Sequence, residues 1–186
     1  MSQGLQDNPT QRLICVDHDG RETGRVVDRR SAHTAPGVKH LAVQILVLNS
    51  KGEIILHERP MTKVGGGVLD APTTHVMAGE THMEAAVRCL KNEYGIAGRH
   101  RITILGGFSY EKDYGDGSCE NEFCLAAYVV YDGIITPNGK EVPRVVRLPC
   151  PEFIQELISG PENFPPWLKD TVRIVRSDQN GGRLFQ

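Results

Sequence analysis

Two carboxylates inside an otherwise apolar stretch set the first constraint on how this chain can fold. Glu120-Asn121-Glu122-Phe123-Cys124 opens a run that continues Leu125-Ala126-Ala127-Tyr128-Val129-Val130-Tyr131. The run has the length and residue types of a buried strand. Side chains two apart on a strand share a face, so Glu120, Glu122 and Cys124 point the same way. Neighbouring carboxylates on such a strand repel each other and lose hydration. They persist only beside a metal, a cation or a shared proton. A fold that buries this strand must bring such a group to it, and the chain offers His33, His40 and His75.

The rest of the pattern supplies the surrounding elements. Leu13–Val16 and Gly24–Val27, around Asp19-Gly20, read as a short hairpin. Arg29–Lys39 is a polar loop. Leu41–Leu48 is a β-branched strand that Asn49-Ser50-Lys51-Gly52 turns into a second strand, Glu53–Glu58. Lys63–Pro72 is a Gly-rich connection, and Thr73–Met77 is a short strand. Thr81–Tyr94 is the clearest helix: Met83, Val87, Leu90 and Tyr94 recur at helical spacing. Thr81 and Glu84 form a capping-box pattern, and Gly95 stands where a C-cap belongs. Arg101–Tyr110 and Glu120–Tyr131 form a long hairpin, and Val145–Leu148 is a last strand. Phe153–Ile158 and Pro166–Val175 are helices. This order predicts an α+β fold, an α/β/α sandwich on a mixed sheet.

With 186 residues, 39% hydrophobic and 24% charged, the chain is expected to form one domain over residues 11–176. Flexible ends are expected at 1–10 and 177–186. A net charge of −2 gives no reason to expect nucleic-acid binding. No apolar run is long enough to span a membrane, and no signal peptide is visible. Five cysteines without a CxxC favour reduced thiols in a cytoplasmic protein.

The segment Gly79-Glu80 … Arg88-Cys89-Leu90-Lys91-Asn92-Glu93-Tyr94-Gly95 resembles the Nudix box, a loop-helix-loop whose glutamates hold divalent cations against a diphosphate. Glu80, Arg88, Glu93 and Gly95 match it. Cys89 and Asn92 stand where two of its helix carboxylates belong, and Thr74 replaces its leading glycine. The resemblance implies a Nudix fold. The loss of two hard oxygen ligands weakens Mg²⁺ binding at that helix.

Beyond the helix, most of the chain resembles one Nudix branch, the metal-dependent isopentenyl diphosphate isomerases. Ala32-His33-Thr34-Ala35 and His40-Leu41-Ala42 resemble that family's first two histidine ligands. Thr74-His75 … Gly79-Glu80 resembles its third. Tyr110 with Glu120-Asn121-Glu122 resembles its tyrosine and acidic motif, and Phe164-Pro165-Pro166-Trp167 its C-terminal aromatic segment. In that family an alkene is protonated, a tertiary carbocation forms and a proton leaves from the other face. The resemblance implies His33, His40, His75, Glu120 and Glu122 as ligands for Mg²⁺, Mn²⁺ or Zn²⁺. It makes Glu122, with Tyr110, the proton donor and Trp167 the π-face that steadies the cation. Arg59 and Lys63, with Arg29 or Arg30, would bind the diphosphate, and Glu93 a second Mg²⁺. Thr73 occupies the position of the family's catalytic cysteine, and Cys89 that of a phosphate-binding arginine. Among the chain's thiols, Cys89, one turn before Glu93, is the candidate for a displaced reactive one. The alternatives are a Nudix hydrolase cleaving a nucleoside or other diphosphate, and a catalytically degenerate diphosphate-binding protein.

Overall fold

The computed structural model describes residues 11–61, 63 and 66–186. The expected loose N-terminus, 1–10, lies outside them. The hairpin β1 (Arg12–Val16) and β2 (Glu22–Asp28) leads into a single helical turn, α1 (Arg29–Ala32). Then come β3 (His40–Leu48), β4 (Glu53–Glu58), β5 (Leu69–Asp70), β6 (Thr73–His75) and α2 (His82–Tyr94). The long strands β7 (Thr103–Asp113) and β8 (Cys119–Val130) follow. β9 (Val145–Pro149), α3 (Cys150–Ser159), α4 (Pro166–Ser177) and α5 (Gln179–Arg183) complete the described chain.

β3 is the centre of the sheet. It runs parallel to β8, with His40 opposite Glu122 and Leu48 opposite Val130. It is antiparallel to β6, which sets Ala42 opposite His75, and antiparallel to β4 at its far end. β8 pairs in turn with β7, where Tyr110 is the cross-strand partner of Glu122. All nine residues of β3 are buried, as expected of a strand covered on both faces. One face carries Leu41, Val43, Ile45 and Val47 and packs with Ala85, Ala86, Leu90 and Tyr94 of α2. The other carries Leu46 and Leu48 and packs with Phe153, Leu157, Leu168 and Val172 of α3 and α4. Period-two alternation places His40 and Gln44 on that second face. The mixed sheet between two helical layers is the α+β sandwich expected from the sequence.

The ends of α2 behave as the sequence dictates. Thr81 and Glu84 form the reciprocal capping box, and Gly95 closes the helix in the left-handed region at φ 68°. A Cβ there would also approach the Thr136 carbonyl oxygen to 2.7 Å. Two segments differ from expectation. Within the loop 29–39, Asp28 accepts a hydrogen bond from the Ser31 amide and so nucleates α1. The expected flexible tail 177–186 is instead folded: Asp178 caps α5, and Phe185 is buried in the α3/α4 core. Among the described residues, no helix is long and apolar enough to cross a membrane.

Candidate active site

Three separate elements deliver the histidines to one point. The turn of α1 ends at His33, β3 begins at His40, and β6 ends at His75. Their ring centroids form a nearly equilateral triangle with sides of 4.8, 4.9 and 4.9 Å. Backbone carbonyls fix two of the rings. His33 Nδ1 donates to Arg29 O at 2.9 Å, and His40 Nδ1 donates to Val38 O at 2.8 Å. Both are thereby set in the tautomer that aims an unprotonated Nε2 inward. The Arg88 guanidinium, itself held bidentately by Glu80, donates to Thr74 Oγ1 and to the His75 carbonyl. The Nudix-box pair of Glu80 and Arg88 thus braces the third histidine from behind.

The carboxylates of β8 meet these nitrogens. His40 Nε2 and His75 Nε2 lie 3.3 and 3.2 Å from Glu122 Oε1, and His33 Nε2 lies 3.1 Å from Glu120 Oε2. His40 Nε2 and Glu120 Oε2 are nevertheless buried with no hydrogen-bond partner. Ligand atoms of His33, His40, His75 and Glu122 all fall within 4.8 Å of one another. Two donors bound at about 2.1 Å and right angles would lie about 3 Å apart, as His40 and His75 do from Glu122. A three-imidazole, carboxylate set with orphaned inward lone pairs fits a divalent cation of the Zn²⁺, Mn²⁺ or Mg²⁺ kind.

Burial and neighbouring charges pull the members of this cluster in opposite directions. Burial would raise the Glu122 carboxyl, but His40 and His75 outweigh it and hold it well below the ordinary range. Burial pulls His75 down to about 3 against the opposing pull of Glu122. At His33 the neighbouring Glu120 overcomes burial and leaves the ring above its usual value. Tyr110 donates its phenolic proton to Glu122 Oε2 at 2.6 Å, and burial beside Glu122 and Glu120 keeps that phenol neutral.

Trp167, at the start of α4, stacks on Tyr110 with a centroid separation of 5.1 Å. The Arg59 guanidinium lies 5.2 Å from the same indole. Arg59 also contacts Asp70 Oδ2 at 3.0 Å and Glu120 Oε1 at 3.9 Å. Arg59 therefore stands beside the histidine–glutamate cluster rather than outside it.

Other residues singled out from the sequence lie apart from this cluster or act differently. Arg29 contributes its backbone carbonyl to His33, and its side chain reaches Gln11. Lys63 pairs with Glu141 at 2.7 Å. Glu93 is buried with Oε2 unpartnered. Burial, with Asp70 and Glu141 adding, pushes its carboxyl up to about 8. The Thr73 hydroxyl donates to Ala71 O at 2.8 Å and accepts from Gln44 Nε2 at 2.9 Å. Cys89 is no reactive thiol: it is buried in the α2 core, and burial together with Glu93 lifts it well above the ordinary thiol range. All five cysteines are unpaired and buried.

Sequence reading passed over Gln44 and Asp70. Gln44 is the lone polar residue of the run 41–48, a signal that was available. Asp70 sat in a Gly-rich connection, where an aspartate ordinarily marks a turn; only the fold shows that it is fully buried.

Comparison with known proteins places these observations. Residues 38–168 match the sequence family described as the NUDIX domain. The chain is 27% identical to the isopentenyl-diphosphate Delta-isomerase of Corynebacterium diphtheriae, covering 89% of this chain and 93% of that protein. It is 28% identical to the enzyme of that name from Haloarcula marismortui, over 90% of this chain and 92% of that one. Among solved structures, a Deinococcus radiodurans protein superposes with a TM-score of 0.65 at 18% identity, covering 88% of this chain and 99% of that one. A MutT protein of Methanosarcina mazei superposes with a TM-score of 0.60 at 18% identity, over 76% and 96%.

Proposed function

The chain belongs to the Nudix domain family, and from that premise we propose that it is a metal-dependent isomerase of an isoprenoid diphosphate, resembling the isopentenyl-diphosphate isomerases. The observation that carries this reading is the convergence of His33, His40, His75 and Glu122 with Tyr110 hydrogen-bonded to Glu122. A plain diphosphate hydrolase has no use for three imidazoles at this end of the sheet. It relies instead on helix carboxylates, and here Cys89 and Asn92 stand in their places.

A divalent cation bound by this cluster would neutralise Glu120 and Glu122 and fix their orientation. The chain's own groups do the remaining work. The proton shared between Tyr110 and Glu122 is positioned for delivery to a substrate alkene carbon. Trp167 and Tyr110 wall the site with π-surface, which favours a developing positive charge and keeps water away. Arg59 and Lys63 supply cations for the diphosphate, and Glu93 with the diphosphate oxygens would hold a second Mg²⁺. The unpaired thiols suit a reducing compartment such as the cytoplasm.

The test is incubation of the metal-loaded protein with isopentenyl, dimethylallyl or geranyl diphosphate in D₂O. Deuterium entering the carbon skeleton with interconversion of the alkenes is the expected outcome. Phosphate release without carbon exchange would replace this reading with a hydrolase. Binding with neither reaction would leave a diphosphate-binding protein.

A further inference from the structure

The site has an acid on one side and lacks an evident base on the other. Thr73 lies where a base is wanted, but its hydroxyl proton is committed to the Ala71 carbonyl at 2.8 Å. A threonine hydroxyl has no acid–base chemistry near neutrality. The ionisable side chain joined to it is Asp70. Gln44 Nε2 donates to Asp70 Oδ1 at 2.8 Å and to Thr73 Oγ1 at 2.9 Å. Asp70 Oδ1 also accepts from the Ala71 amide at 2.8 Å, which leaves Oδ2 facing Arg59.

What Arg59 occupies is the second clue. A guanidinium is a planar, trigonal carbon bearing three substituents and one delocalised positive charge. A tertiary carbocation has the same shape and charge. The Arg59 guanidinium lies 5.2 Å from the Trp167 ring, with Asp70 Oδ2 at 3.0 Å and Glu120 Oε1 at 3.9 Å. It marks a place that already holds a planar cation between Glu120 and Asp70. A diphosphate offers Arg59 stronger, bidentate partners, and its move to them would free Oδ2 of Asp70, which is 0% exposed.

We propose that Asp70 is a catalytic residue, the base that removes the substrate proton on the side away from Glu122 once Arg59 has moved to the diphosphate. This inference rests on the isomerase reading. The proton of the Tyr110–Glu122 pair adds to the terminal alkene carbon through the π electrons, leaving a planar tertiary cation. Asp70 Oδ2 then takes a proton from the neighbouring methylene, whose C–H electron pair becomes the new double bond. Asp70 ends neutral and the Tyr110–Glu122 pair one proton poorer; exchange with solvent restores both. Burial lifts the Asp70 carboxyl above its usual range despite the opposing charge of Arg59, which suits a base.

The experiment follows deuterium from D₂O into isopentenyl diphosphate at two positions by NMR, with the metal-loaded protein. In the wild type both the terminal carbon and the allylic methylene exchange. If the wild type exchanges neither, the isomerase reading itself has failed. In Asp70→Asn, interconversion and methylene exchange should fall by about 100-fold or more, while terminal-carbon exchange and substrate binding by calorimetry persist. A merely structural role would lower both exchanges together, and that result, or full retention of both, overturns the proposal. Adding Thr73→Cys to Asp70→Asn should restore part of the methylene exchange by supplying a titratable group. If loss of the Arg59–Asp70 pair unfolds Asp70→Asn, the double variant Asp70→Asn/Arg59→Gln removes both charges of that pair together. Assayed at saturating substrate, it is judged by the same two positions.

Discussion

The molecule has two regions in which acidic side chains are buried, and they stand in opposite conditions. At the β3/β8 end of the sheet, three imidazoles and a carboxylate converge within 4.8 Å. On the Nudix helix α2, a single buried carboxylate, Glu93, remains beside Cys89 and Asn92. The first set is rigid because strand pairing and backbone carbonyls fix its members before any ion arrives. The second is one carboxylate, which would need substrate oxygens to complete a coordination sphere. On the proposed reading the helix set has thinned while the strand set is whole, and diphosphate binding and chemistry at carbon are separated within one scaffold.

The sharpest way to break this comparison is Glu122→Gln, which keeps the shape of the strand site but removes the carboxylate that shares the Tyr110 proton. It should cost about 1000-fold in alkene deuteration, measured in D₂O; retained exchange would take Glu122 out of that role. Next in size is His40→Asn. Loss of a direct ligand should weaken metal binding at the strand site by more than about 100-fold, read from the metal content of dialysed protein. Chelation of the wild type should abolish activity in the same way.

Glu93 gives a smaller effect with a defined sign. In chelated protein its carboxyl sits at about 8, against an unperturbed value of 4.5. The folded chain therefore keeps a proton that the unfolded chain has released across that window. The stability this adds is whole below about 4.5 and is lost as pH rises through about 8. The melting temperature should fall from pH 5 to pH 8, Glu93→Gln should flatten that slope, and added Mg²⁺ with diphosphate should oppose it. The smallest effect belongs to Cys89→Ala, which should change activity by less than about twofold and stability by about 1 kcal/mol. A large loss of activity would restore the thiol as a participant.

The fold was legible wherever periodicity was strong. β3, β4 and α2, with its capping box and glycine stop, follow from alternation, helical spacing and cap chemistry, all of which are local. The convergence of His33, His40, His75 and Glu122 was legible from residue types in order, because buried carboxylates demand partners. The one-turn α1 and the packed α5 were not: a four-residue turn and a polar, Gly-rich segment form only because Asp28 and Asp178 cap them and the core accepts Phe185. Arg88 bracing His75, Gln44 joining Asp70 to Thr73, and Arg59 lying over Trp167 depend on three-dimensional proximity. No spacing rule carries that information.

The parallel pairing that sets His40 opposite Glu122 has a consequence for the order of assembly. The two residues come from opposite halves of the chain and meet only when β3 and β8 have aligned. His75 joins only through β6, which pairs on the other side of β3. A metal ion held by this cluster could therefore not template the protein locally, as it does in a short finger whose ligands are near neighbours. It could recognise only the finished sheet. Metal uptake would be a late event in maturation, and occupancy of the cluster a direct gauge of how much chain has reached its native topology.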